Sequence, residues 1–179
     1  MQERIKAALA PLLGLALTGS WRPEVKGFEA LQRFEFGPQR DFTNNKGERV
    51  TVGDYALHIG CPWRIIRRER IIVAYIDLYF PDENAVEAGG DDFDSYTPGA
   101  SWRDRQMQRF VEQLYKAPLI VKTIEADAVG SVRLKMSGGY RLEILPMDSL
   151  SFEFWRLLST GTESTQQEHF VVTGRGVQE

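Results

Sequence analysis

Eight prolines in 179 residues deny this chain any long uninterrupted element. Proline has no N–H to give to a ladder and pushes the residue before it out of the helical region, so each one ends an element or sits at its rim. Pro23, Pro38, Pro62, Pro81, Pro98, Pro118 and Pro146 fall at such ends. The pieces between them read mostly as strands. The pattern predicts early strands over 15–21 and 28–36. Residues 50–61 alternate, with Tyr55, Leu57, Ile59 and Cys61 on one face and Ala56, His58 and Gly60 on the other. The run Ile71 to Phe80 is apolar on both faces, which predicts a central strand.

Two helices break this pattern. Ile5, Ala8, Leu9 and Leu12 make one stripe of a short N-terminal helix ended by Gly14. Arg4 and Lys6 before an apolar run imitate a signal peptide, but Glu3, Pro11, Gly14 and the lack of an A-x-A site favour a retained helix. Ser101 three before Asp104 resembles a capping box, and Met107, Phe110, Val111 and Leu114 repeat at helical spacing, which predicts a central amphipathic helix over about 102–116. Five further strand patterns follow, with Gly138-Gly139 as a hairpin turn between two of them. The expectation is an α+β fold with a mostly antiparallel sheet, in one domain over 1–179.

Composition narrows the function. With 22 basic against 25 acidic side chains and a net charge of −3, the chain lacks the broad positive field of a nonspecific nucleic-acid binder. No apolar run approaches the roughly 18 residues needed to cross a bilayer. The single cysteine excludes an intramolecular disulfide framework and points to a reducing compartment, hence a cytoplasmic protein.

Catalytic and cofactor motifs are weak throughout. Gly174-Arg175-Gly176 stands at the end of the chain with no helix after it, and no phosphate-binding loop motif occurs. Ser101 lacks the second glycine of a nucleophile elbow and reads as a helix cap. His58 and Cys61 would be an activated thiol pair, but an offset of three puts them on opposite faces of a regular strand, so Cys61 reads as a small core residue. A zinc site would need His169 to converge with both, and no spacing supports it. No metal or other cofactor is therefore expected. Asp77 interrupts the apolar run and must be paired or face a cleft; Arg64, across a hairpin around Arg67 and Arg68, is its expected partner. Arg67, Arg68 and Arg70 read as a solvated basic turn.

The acidic segment is more telling. Asp82, Glu83, Glu87, Asp91, Asp92 and Asp94 gather between 82 and 94 without a basic residue, and Phe93, Tyr96 and Trp102 lie among or just after them. The order of carboxylates does not fit an EF-hand loop. Aromatic anchors within a charged rim are what protein interfaces favour.

The segment Tyr55-Ala56-Leu57-His58-Ile59-Gly60-Cys61-Pro62-Trp63-Arg64-Ile65 resembles a recurring string in a group of small bacterial proteins. So do Leu142-Glu143-Ile144-Leu145-Pro146, Trp155-Arg156-Leu157 and the stretch from His169 to Val177. That group has no established activity; the chain is similar in style to small cytoplasmic proteins that accompany toxin systems as immunity or accessory proteins, and the resemblance carries over no catalytic residue.

Two functions are thus expected. The first is a non-enzymatic protein-binding module, immunity- or accessory-like, that sets the acidic aromatic-bearing segment against a basic protein partner. The second is a small-molecule enzyme or ligand-binding protein with a pocket containing His58, Arg64, Asp77 and His169.

Overall fold

The computed structural model describes residues 1–23, 30–43, 47, 49–82, 93–160 and 169–178. Helix α1 (Gln2–Leu9) continues into a 3-10 turn (Ala10–Leu12), and Ile5, Leu9 and Leu12 of the expected stripe are fully buried. Burying each such side chain contributes about 1.5–3 kcal/mol relative to leaving it in water.

Thirteen strands follow among the described residues: β1 (Ala16–Trp21), β2 (Gln32–Phe36), β3 (Arg40–Thr43), β4 (Arg49–Val52), β5 (Tyr55–Ile59), β6 (Trp63–Arg67), β7 (Arg70–Ala74), β8 (Leu119–Ala126), β9 (Val132–Met136), β10 (Tyr140–Ile144), β11 (Glu153–Ser159), β12 (His169–Thr173) and β13 (Gly176–Gln178). Helix α2 (Trp102–Lys116) lies between β7 and β8. The fold is α+β, with a large antiparallel sheet, an N-terminal helix and this further helix.

Eleven strands run in the order β13-β12-β11-β5-β2-β1-β8-β9-β10-β6-β7, while β3 and β4 form a separate hairpin. The large sheet has a weak seam. β1 meets β8 through only two residue pairs, Ala16↔Ile120 and Leu17↔Leu119, so six strands lie on one side of the join and five on the other. The two halves close on each other around one core. Phe34 of β2 meets Trp63 of β6 edge to face, with centroids 5.3 Å apart. The Trp155 indole N–H on β11 donates to the Gly130 carbonyl in the β8–β9 turn at 2.8 Å. α1 lies against β8, and α2 against β1 and β7.

The chain passes from one half to the other at Gly60-Cys61-Pro62. The Gly60 and Cys61 amides both donate to the Phe154 carbonyl, at 2.9 and 3.1 Å, and the Pro62 carbonyl accepts from Leu145 N at 2.8 Å. Proline suits this corner because no ladder partner is required of its nitrogen. Cys61 is buried there, and burial pushes its thiol up to about 12, so it is a core residue without thiolate chemistry.

The expected caps and turns hold in detail. Ser101 Oγ accepts from Asp104 N at 3.2 Å, while Asp104 Oδ2 accepts from Gly99 N at 3.0 Å and Ser101 N at 3.5 Å. Met107, Phe110 and Leu114 form the buried face of α2, headed by a fully buried Arg103. Gly138 and Gly139 turn between β9 and β10 with φ of 68° and 74°, a region that glycine enters without strain.

Two expectations are corrected. Residues 50–61 are not one strand: Val50 belongs to β4, and Gly53-Asp54 separates it from β5. Residues 71–80 are not a central strand either. Among the described residues β7 is an edge strand of the sheet, and the chain then tightens into a 3-10 helix (Tyr75–Tyr79). Asp77 drives the change, because its Oδ2 accepts from Ala74 N at 2.8 Å and ends the strand there.

Candidate protein-binding surface

The 3-10 repeat of three sorts the apolar run into two sides. Leu78 is fully buried and Tyr75 half-buried, three residues apart on the inner side, while Ile76 and Tyr79 face outward. With Ile71 on β7 and Phe80 just after the turn, four large apolar side chains stand 46–57% exposed along ten residues. Large apolar side chains exposed at this density, on and just after an edge strand, are a feature of interaction surfaces. Sequence reasoning missed these four residues, because a run apolar on both faces reads as buried. Asp77 within it and Pro81 after it were the available signals.

This row ends where the acidic segment starts. Pro81 bridges to Ser101, Asp82 N donates to the Ala100 carbonyl at 2.9 Å, and Trp102 N donates to the Phe80 carbonyl at 2.8 Å. The start of the acidic segment is thus fastened to the start of α2. Asp82 itself is buried beside Arg105 at 3.6 Å and serves the fold rather than the rim. Glu83, Glu87, Asp91 and Asp92 lie outside the described residues.

At the far end Asp94 shapes a turn, accepting from Tyr96 N at 2.9 Å and from Thr97 Oγ1 at 3.2 Å. Arg22 then holds that turn to the helix: its Nε lies 2.8 Å from Asp104 Oδ1, and its guanidinium donates to the Ser95 and Thr97 carbonyls. Tyr96 projects into solvent, while Phe93 and Trp102 are half-buried.

The four residues of the expected pocket do not share one set of neighbours. His58 and His169 lie on the six-strand side. Arg33 donates to His58 Nε2 at 2.8 Å, and Arg156 donates to His169 Nδ1 at 3.4 Å. An arginine can only donate, so each histidine accepts on that nitrogen and carries its proton on the other. Burial above all, then the charges of Arg33 and Arg156, lowers His58 to about 3 and keeps it neutral. His169 also borders a cleft of about 430 Å³ with Tyr55, Ser159, Phe170 and residues of α1. Asp77 is spent on the 3-10 turn; burial raises its pKa, against the Ala74 amide and the Arg103 charge.

Arg64 pairs with Glu143 instead of Asp77. Strand register places Glu143 between Arg64 of β6 and Arg133 of β9, and Arg141 stands two residues before it on β10. All three arginines donate their Nε to it: Arg64 to Oε2 at 2.7 Å, Arg133 and Arg141 to Oε1 at 3.0 and 3.1 Å. Burial pushes the Glu143 carboxyl up, but the Arg64 and Arg133 guanidiniums outweigh it and hold the pKa below the usual range. Among the described residues no three His, Cys, Asp or Glu side chains gather as a metal centre would require, and no helix is long and apolar enough to cross a membrane.

No protein-family model, no curated protein and no solved structure matches the chain.

Proposed function

We propose that the chain is a non-catalytic protein-binding module that sets the exposed edge of β7 and the adjoining 3-10 helix against a partner. The observation that carries this reading is the row Ile71, Ile76, Tyr79 and Phe80, exposed and running directly into the acidic segment at Asp82. Among the described residues β7 pairs with a strand on one side only, so its other edge would give a partner strand main-chain hydrogen bonds and the apolar row would give it anchors. The carboxylate-rich segment that follows this row in sequence favours a partner whose own apolar patch is rimmed by lysine and arginine. Capture of a basic protein, in the manner of an immunity or accessory protein, is the form of action this surface suits. The cytoplasm, where a lone thiol such as Cys61 stays reduced, is the proposed place.

The test is capture from a bacterial lysate, identification of the enriched protein and calorimetric titration with that protein once purified. Two variants are compared with the parent chain: Ile76→Asp combined with Phe80→Ser, and Asp91→Asn with Asp92→Asn and Asp94→Asn. Each is expected to weaken binding by about tenfold or more, equivalent to about 1.4 kcal/mol. Unchanged affinity in both, with folding intact by circular dichroism, would overturn the reading.

A further inference from the structure

The three arginines around Glu143 form an overcharged cluster, and we infer that it is a binding site for a compact dianion of the phosphate class. The site is independent of the protein-binding surface proposed above.

Its geometry is set by the sheet. Cross-strand pairing puts Glu125 of β8 beside Arg133 of β9, Arg133 beside Glu143 of β10, and Glu143 beside Arg64 of β6. Lys135 also reaches Glu125. Three arginines share Glu143 while Lys135 and Glu125 offset each other, so the three-arginine group itself keeps a surplus of two positive charges, with Asp127 lying apart in the cleft on the Arg133 side. A dianion matches that surplus.

The orientation of the donors strengthens the case. Glu143 is buried and takes only the Nε atoms, and Arg133 and Arg141 share its Oε1, so their guanidinium groups lie side by side. Arg133 gives one terminal nitrogen to Glu125, and Arg141 gives one to the Arg68 carbonyl. Their remaining terminal N–H groups, with those on both terminal nitrogens of Arg64, meet no acceptor among the described residues and sit on side chains 36–48% exposed. A buried carboxylate thus holds three planar donors in place before any ligand arrives, so less side-chain freedom is lost on binding. Forked N–H donors of this kind suit the oxygens of a phosphate, which can accept from several arginines at once. A cleft of about 200 Å³ adjoins on the Arg133 side, but it carries Glu125 and Asp127 and repels an anion. The seat is therefore the Arg64 and Arg141 side of Glu143.

Titration with inorganic phosphate, followed by the arginine Nε–Hε resonances in NMR, tests the site. A parallel titration with phenyl phosphate separates a free ion from a phosphomonoester, and sodium chloride at equal ionic strength controls for screening. Saturable shifts of the Arg64, Arg133 and Arg141 signals are expected with one or both phosphates and not with chloride. Arg64→Gln and Arg141→Gln, both at partly exposed positions, are expected to weaken binding about fivefold or more each while leaving the circular dichroism spectrum unchanged. The proposal is overturned if chloride reproduces the shifts, if neither phosphate saturates by about 20 mM, or if the folded double variant titrates like the parent chain.

Discussion

His58 accepts a hydrogen bond from Arg33 and lies in the field of Arg156, and that setting makes it an acid-sensitive element of the fold. Its folded pKa is depressed from 6.5 to about 3. The unfolded chain therefore binds a proton below about pH 6.5 that the folded chain refuses, and stability falls as pH drops through that window. His58→Gln keeps an acceptor for Arg33 without the titration, so its loss of stability between pH 7 and 5 should be smaller than the parent's by about 1–2 kcal/mol in urea unfolding. Glu143 works on the same side of neutrality. Its lowered carboxyl contributes stability above the ordinary carboxyl range and loses it as pH falls through the lowered value. Glu143→Gln keeps an acceptor oxygen but removes the anion that three partly exposed guanidiniums share, and about 1–2 kcal/mol of stability should be lost at pH 7, with a flatter dependence on acid. Alternation alone placed His58 off the core face. It could not supply Arg33 and Arg156 as neighbours, nor Glu143 as the partner of Arg64, because those pairs exist only once strand register is known.

At the level of elements, α2 was readable from end to end, since its cap, its stripe and its length are all local properties. Replacing Ser101 by Ala removes the acceptor of Asp104 N and should cost about 1 kcal/mol, read by chemical denaturation. The run 71–80 was not readable in the same way. Hydrophobicity says that a segment can be buried, and only the arrangement of the other strands says whether anything covers it. β7 has no neighbour beyond it among the described residues, and the same run holds both core and surface residues. Leu78→Ala should therefore cost about 2–5 kcal/mol. Ile76→Lys should stay within about 0.5 kcal/mol. Comparable losses in the two variants would show that the outward side is covered after all.

For the molecule as a whole, closure of the two halves of the sheet depends on a few close approaches. Gly130 is one. Its φ is 98°, and a methyl group there would stand 2.9 Å from Val172 Cγ1, beside the carbonyl that receives the Trp155 indole. Gly130→Ala should lower stability by about 2 kcal/mol and shift the fluorescence of Trp155 in thermal unfolding. Nothing in the sequence near Gly130 marks this, because the atoms it meets arrive from β12. The seam between β1 and β8 has a consequence for the order in which the molecule can be made. Leu17 pairs with Leu119, and Leu57 of β5 pairs with Leu157 of β11, so both central strands wait for partners about a hundred residues downstream. As the chain leaves the ribosome, β1 must stand with one edge open until β8 has emerged, and β5 until β11 has.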